Sequence, residues 1–477
     1  MTNDYDLVVM GSTPEAIYSA SRAAYLKARV ALVQQPTQFI LDSAQTIFSR
    51  RFTHVTHLFN QLKEIYPENP QFNLPLTGVT SWAKEVNRIL SEINSPAMLS
   101  ALGVDVIMGS GELVRLPSLS VVAEGRKLRS QAYLLATGAS LSIPKIEGLE
   151  EVGYLTPEDL WHPDKLAFLP HQLVIVGSTP MAIELAQNLQ RLGKDVSLVV
   201  EHDQIFPSED PEAVALLQSI LESEGIKIYL QRSLSQVRRI EGKKWLQVGN
   251  YALETDEIII ATQPQPNVAG LNLEGVGVKW GQKGILVNEK LQTTNTRIYA
   301  CGSLLGGYHF THLAQYEAQI ALKNALFFPR YKVDYGHIPY TIFTDPPLAR
   351  VGMTEAQAKR RYGEKVQEIG QRFKYIAQAH ILGETTGFCK LIVSDNGQIL
   401  GGHIIGTQAE EFMGVIALAI QQKIKIGKLM DLVYPYPSLS EILHQIAFQW
   451  QYQHLEKNKG LQNWLENWFI WRRCWFP

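Results

Sequence analysis

Hydrophobic and polar positions along the chain spell one phrase twice. Leu7 to Met10 is a short uninterrupted apolar run, the pattern of a strand buried on both faces of a parallel sheet. Gly11-Ser12-Thr13-Pro14 follows as turn chemistry, with Pro14 suited to the first position of a helix. Helical spacing then runs from Ala16 to Leu26, and Val30 to Val33 forms a second apolar run. The same order returns as Leu173–Val176, the turn Gly177-Ser178-Thr179-Pro180, a helical stretch Met181–Leu192 and Val196–Val200. Side by side, VVMGSTPEAIYSA and VIVGSTPMAIELA agree even in their turn residues. Two such βαβ openings predict an α/β chain with two doubly wound domains of the dinucleotide-binding type. The turns alone leave nucleotide binding open, because doubly wound sheets also use them without a ligand.

Between the two phrases, Gly103 to Gly138 carries short strand-like runs (VDVIMG, LSVVAEG, AYLLATG) and reads as a β-meander; Lys227 to Thr262 repeats the texture. Gly275 to Gly284 reads as a connector, Arg297 to Cys301 as a strand, and Thr311 to Leu326 as a long helix. From Ile338 onward the pattern is α+β, with strands at KLIVSD and ILGGHIIG and helices at AEEFMGVIALAIQQ and SLSEILHQIAFQW.

The 477 residues suffice for several cores without disulfide support, and 45% hydrophobic with 19% charged residues is an ordinary globular balance. The 44 basic and 46 acidic residues give a net charge of -2, so nucleic acid is not an expected partner. The opening MTNDYDLVVMGSTP lacks the pattern of a signal peptide, and no apolar run approaches the ~18 residues of a spanning helix. A cytoplasmic location is the expectation. The cysteines are Cys301, Cys389 and Cys474, with no close pair, so neither a CxxC metal site nor a local redox disulfide is expected, and no metal site is assigned.

Several longer phrases resemble the flavoprotein disulfide reductases: LLATGASLSIPKIEGLE, TNTRIYACGS, IPYTIFTDPPLARVGMTEAQA, GFCKLIVSDNGQILGGHIIGTQAEEF and YPSLSE. The resemblance implies an FAD-type domain at 1–150 completed by 275–337, an NAD(P)-type domain at 151–274, and a dimerisation domain at 338–453. An aromatic tail at 454–477 lies beyond it. It also implies a homodimer using FAD and a nicotinamide nucleotide.

The chemistry departs from that pattern. Family members carry a redox cysteine pair on the helix after the second strand, where this chain reads QQPTQFILDSAQTIFSRRFTHV. Without it, dithiol–disulfide exchange has no attacking thiolate. Glu441 stands at the family's Glu position, but Tyr436 replaces the histidine base, and a phenol titrates at about 10, too high for a base at neutral pH. At the FAD-type site, Gly11, Thr13, Pro14 and Ala16 occupy the G-x-G-x-x-G turn, and Thr13 puts a β-branched side chain where phosphate approaches. Gln34 replaces the ribose-binding acid, Ser303 follows Gly302 in place of the family's Asp, and Thr137 and Gly138 are kept. FAD retention stays open. At the NAD-type site, which includes the turn residue Pro180, Gly177 and Ala182 fit, Glu184 matches, Thr179 is discordant, and Glu201 ends the second strand, favouring NAD(H) over NADP(H).

Five of the nine tryptophans, from Trp450 to Trp475, fall near the end of the chain. Leu461, Trp464, Leu465, Trp468 and Trp471 follow helical spacing, with Arg472 and Arg473 beside them. That stripe suits packing on its own dimer, a protein partner or a membrane surface. Two functions follow. One is an oxidoreductase passing electrons from flavin to a non-disulfide acceptor. The other is a non-catalytic homodimer serving as a scaffold or nucleotide-sensing regulator.

Overall fold

The computed structural model describes residues 3–34, 43–65, 94–307 and 309–475, with scattered positions between 66 and 93. Two compact units emerge: Met1–Asp203 with Gly225–Val333, and Gln204–Glu224 with Asp334–Pro477. The stretch expected to carry the cysteine pair lies partly outside the described residues, at 35–42.

The first unit holds two parallel sheets. In the first sheet, β1 (Tyr5–Met10) leads into α1 (Pro14–Tyr25), β2 (Val30–Gln34), α2 (Ser43–Ile65), β3 (Val104–Met108) and β4 (Ser130–Leu135). The second opens with β5 (Gln172–Val176), α3 (Pro180–Arg191) and β6 (Asp195–Val199). After α4 (Pro211–Ser223), which belongs to the other unit, come β7 (Lys227–Tyr229) and β8 (Glu257–Ile260). The chain then returns to the first sheet with β9 (Ile298–Ala300) and α5 (Thr311–Leu326). Strand order is β9-β4-β1-β2-β3 in one sheet and β7-β6-β5-β8 in the other. Leu7, Val8, Val9 and Met10 are wholly buried, as an apolar run with both faces covered requires. Small residues let α1 lie close to its neighbours: Ala16, Ala20 and Ala23 share a core with Ala318 and Ala321 of α5.

The predicted meanders are partly corrected. VDVIM and SQAYLL are strands of the first parallel sheet, and only residues 111–128 between them form a three-stranded antiparallel sheet. Residues 234–255 do the same between β7 and β8. The outer runs were hard to distinguish because a short apolar run carries no alternation.

The second unit is built on an antiparallel sheet. Its strands are β10 (Tyr340–Ile342), β11 (Leu348–Gly352), β12 (Val366–Arg372), β13 (Phe388–Ser394) and β14 (Ile399–Ile405), ordered β10-β11-β14-β13-β12. Next come α6 (Ala409–Gln421), α7 (Glu441–Lys457) and α8 (Lys459–Trp475). Phe373, Phe412, Ile416, Leu443 and Ile446 fill the core between sheet and helices. Residues 204–224, expected within 151–274, group with this unit instead. The physical tie is a buried ion network. Lys390 Nζ lies 3.1 Å from Asp210 Oδ1, 2.7 Å from Glu212 Oε2 and 3.2 Å from Glu368 Oε1, while Asp210 also caps α4. Buried charges persist only when paired in this way.

The tail forms the expected helix. Trp464, Trp468, Trp471 and Trp475 follow one another along α8 with ring centroids 6.0, 5.0 and 5.6 Å apart, and no residue of the helix is buried by the rest of the chain. No helix among the described residues is long and apolar enough to cross a membrane.

Candidate functional site

The two GSTP turns are built alike. Gly11 has φ +142° and a Cβ there would meet Ala136 O at 1.9 Å; Gly177 has φ +137° and its Cβ would meet Ala261 O at 2.3 Å. Glycine at each position lets the chain pass against the end of the adjacent strand. The threonine two residues on uses that same carbonyl. Thr13 Oγ1 donates to Ala136 O at 2.9 Å, and Thr179 Oγ1 donates to Ala261 O at 3.0 Å. Each threonine is also the N-cap of its helix, accepting from Ala16 N at 3.3 Å and from Ala182 N at 3.1 Å. Thr13 therefore turns inward as a cap, tying helix, turn and strand together, a role that its β-branched shape alone did not disclose.

These caps use the groups that bind phosphate in a glycine-rich turn. A helix N-terminus attracts anions through its unpaired first-turn N–H groups. In α1, Pro14 has no N–H and Ala16 N–H is bound by Thr13. Glu15 hydrogen-bonds its own carboxyl through its backbone N–H. That carboxyl is buried, and burial pushes its pKa up to about 7, with Glu317 on α5 adding to the rise and the hydrogen bonds from its own backbone and Thr13 opposing it. A Cβ on Gly302 would stand 2.3 Å from Glu15 Oε1, so the carboxyl fills the corner beside Gly302. Gly302 N–H itself donates to Glu317 Oε2 at 2.7 Å. The residues of the first turn do not fit a pyrophosphate.

The other FAD-type positions lie at or just beyond the ends of β2, β4 and β9. Thr137 Oγ1 donates to Asn267 O at 2.7 Å, and Asn267 Nδ2 donates back to Thr137 O at 3.1 Å; Gly138 O accepts from Asn267 N. Gln34 is buried at the end of β2, and its carbonyl accepts from Gly109 N. Ser303 is half-buried in a 3-10 turn spanning Gly302–Leu305. Cys301 is fully buried, and burial, reinforced by Glu15 and Glu317, lifts its thiol well above the usual range. A thiol held neutral in this way is a poor nucleophile. Burial lowers His309 to about 4 and keeps it neutral.

The second turn differs at one position. Met181 stands where Glu15 stands in the first, so no carboxyl enters this turn. Glu201 is exposed just beyond β6, free of burial cost and able to accept from ribose hydroxyls. Glu184 is buried on α3 and accepts a hydrogen bond from Ser49 on α2. The same seam continues with Thr56 Oγ1 donating to Asn188 Oδ1 at 2.7 Å and Asn188 Nδ2 donating to Thr53 Oγ1 at 3.0 Å. Phe48 packs on Phe52 and Trp161 beside it. The second turn and Glu201 fit a dinucleotide better than the first.

Comparison with known proteins matches this architecture along nearly its whole length. The family model described as pyridine nucleotide-disulphide oxidoreductase matches residues 5–318, and the dimerisation domain of the same family matches 338–447. The chain belongs to the pyridine nucleotide-disulphide oxidoreductase family. A mercuric reductase of Staphylococcus aureus is 31% identical over 459 residues, covering 93% of this chain and 82% of that one. A dihydrolipoyl dehydrogenase of Chlamydia pneumoniae is 26% identical, covering 93% and 96%. Among solved structures, the HOCl-induced flavoprotein disulfide reductase RclA of Escherichia coli superposes with TM-score 0.80 at 24% identity, covering 93% and 99%. LpdA of Mycobacterium tuberculosis gives 0.82 at 24%, with the same coverage. These structures share the fold, and the lineage is that of FAD- and NAD(P)H-dependent oxidoreductases.

In this member of the family, the second unit carries the Tyr436 motif. Tyr436 is 77% exposed, and Glu441 opens α7 with Oε1 accepting from Gln445 at 3.3 Å. Sequence reasoning passed over Glu15, Glu317 and Ser49. Glu15 left one readable signal: it is the residue that differs immediately after two otherwise identical GSTP turns. Glu317 and Ser49 left none, because only folding brings α5 and α2 to their partners.

Proposed function

We propose that this chain is a non-catalytic homodimeric member of its family, a binding or regulatory protein that responds to NAD(H) at its second turn. The observation that carries the reading is the self-capped, carboxyl-filled first turn beside a buried, neutral Cys301. Electron transfer in this lineage starts from a flavin, and here the Glu15 carboxyl fills the corner beside Gly302 while Cys301 stays neutral. The replacement of the redox cysteine pair and of the histidine base by Tyr436 supports the same conclusion. In the second turn, Gly177, Thr179 and Pro180 would line the pyrophosphate, Glu184 would lie toward the nicotinamide, and Glu201 would hold the ribose, preferring NAD(H) to NADP(H) by repelling a 2′-phosphate. The dimerisation domain would pair two copies, and the exposed tryptophans of α8 extend the surface of that unit.

The other reading, flavin-mediated transfer to a quinone or dye, draws on the retained Gly11, Thr137, Gly138 and Glu184. One set of assays separates them. Purified full-length protein is titrated with NAD+ by calorimetry and assayed for NADH oxidation with lipoamide, glutathione disulfide, mercuric ion and a soluble quinone, with FAD added. NAD+ binding that is lost in Glu201→Arg, without turnover on any acceptor, is expected. Sustained FAD-dependent oxidation of NADH by the quinone would establish the enzyme instead.

A further inference from the structure

Two turns of identical sequence, GSTP, open two helices of equal length, yet one residue makes them unequal. The threonine caps and prolines are common to both, so neither explains a difference between them. The difference is position 15 against position 181, glutamate against methionine. Glu15 sits in the first turn of α1 and folds back onto its own N–H. Its carboxyl comes to rest over Gly302, in the space a Cβ would need. A carboxyl in that place takes up the corner that a bound phosphate would need.

We propose that the Glu15 carboxyl takes the place of a nucleotide pyrophosphate at the first turn, so that this chain accepts a dinucleotide at one turn only. The proposal deepens the reading above and rests on it for the second turn. Two features support it independently of any titration. The Gly302 N–H, pointing into the same corner, is occupied by Glu317. Met181 leaves the twin turn without a carboxyl. Charge adds to occupancy: Glu15 faces Glu317 of α5 and Cys301 at the end of β9, with no cation among its electrostatic partners in the described residues. Above about pH 7 its carboxylate would confront a diphosphate directly.

Flavin uptake measures this without reference to turnover. Wild type, Glu15→Gln, Glu15→Ala and the double variant Thr13→Gly/Glu15→Ala are incubated with FAD and passed through a desalting column, and bound flavin is read from visible absorbance. Thermal melts and dimer mass verify folding. The wild type should retain no flavin. The double variant should bind FAD at least about tenfold more tightly than wild type, the scale of one buried charge facing an anion. The gain in Glu15→Gln should be largest at pH 8 and fade by pH 5, where Glu15 is already neutral. Stoichiometric flavin on the wild type overturns the proposal. So does a folded double variant that takes up no more FAD than wild type. An NAD+ titration of the same samples keeps the two readings apart. Failure of the wild type to bind NAD+ refutes the function proposed for the second turn, while the flavin comparison still decides the role of Glu15.

Discussion

The carboxyl of Glu15 stands over Gly302 so closely that a Cβ on the glycine would lie 2.3 Å from Oε1, and the glycine itself adopts φ +75°. Helix α1 and the end of β9 thus share a corner that holds one side chain and no more. Gly302→Ala should destabilise the protein by about 1–3 kcal/mol through left-handed strain and the clash. Adding Glu15→Ala should recover the clash portion but not the backbone portion. Chemical denaturation of the two single variants and the double variant measures both; full additivity would mean that the two residues do not share the space.

The threonine caps should contribute independently. Thr13→Ala and Thr179→Ala each lose a cap and a bond to the neighbouring strand end, at a cost of about 1–2 kcal/mol each. The double variant should show the sum, since the two turns sit on different sheets. Denaturant midpoints check this.

Glu15 gives stability a pH dependence of defined sign. Its folded pKa of about 7 lies above the ordinary 4.5, so the folded protein holds a proton that the unfolded chain has released. The contribution is therefore fully present below pH 4.5 and is lost as pH rises through 7. Glu15→Gln should match wild type near pH 4.5 and exceed it at pH 8, by on the order of 2–3 kcal/mol at most. Equal melting curves at pH 8 would show that burial of this carboxyl is relieved some other way.

The thiols should divide by burial. Cys474 is exposed, whereas Cys301 and Cys389 are buried, and burial pushes Cys389 well above the ordinary thiol range. A thiol-reactive chromogen should label one cysteine rapidly in the native protein and all three after unfolding, and Cys474→Ser should abolish the fast phase. A second fast thiol would place Cys301 or Cys389 in reach of solvent.

In the second unit, Lys390 holds Asp210, Glu212 and Glu368 together. Lys390→Met leaves Asp210 buried without its cation and should cost on the order of 3–5 kcal/mol. Lys390→Met combined with Asp210→Asn should be milder than the single change. Urea unfolding of the two variants measures the difference.

The sequence by itself determined the elements and their class. Gly11 and Gly177, Pro14 and Pro180, and the apolar runs beside them follow rules that act within a few residues: turn geometry, helix starts and the continuous hydrophobicity of doubly covered strands. The resemblance likewise pointed to the family and its dimerisation domain. Tertiary structure decided everything that depends on residues far apart in the chain. Thr13 read as an obstacle until Ala136, brought alongside by β4, accepted its hydroxyl and turned it inward. Glu15 drew no reading from the sequence, and its role emerged only where α5 and the end of β9 closed over it. Residues 204–224 group with the second unit, where Lys390 pairs with the buried Asp210. In each case the deciding partner lies beyond the reach of local pattern, and burial sets the strength of the interaction once folding has excluded water.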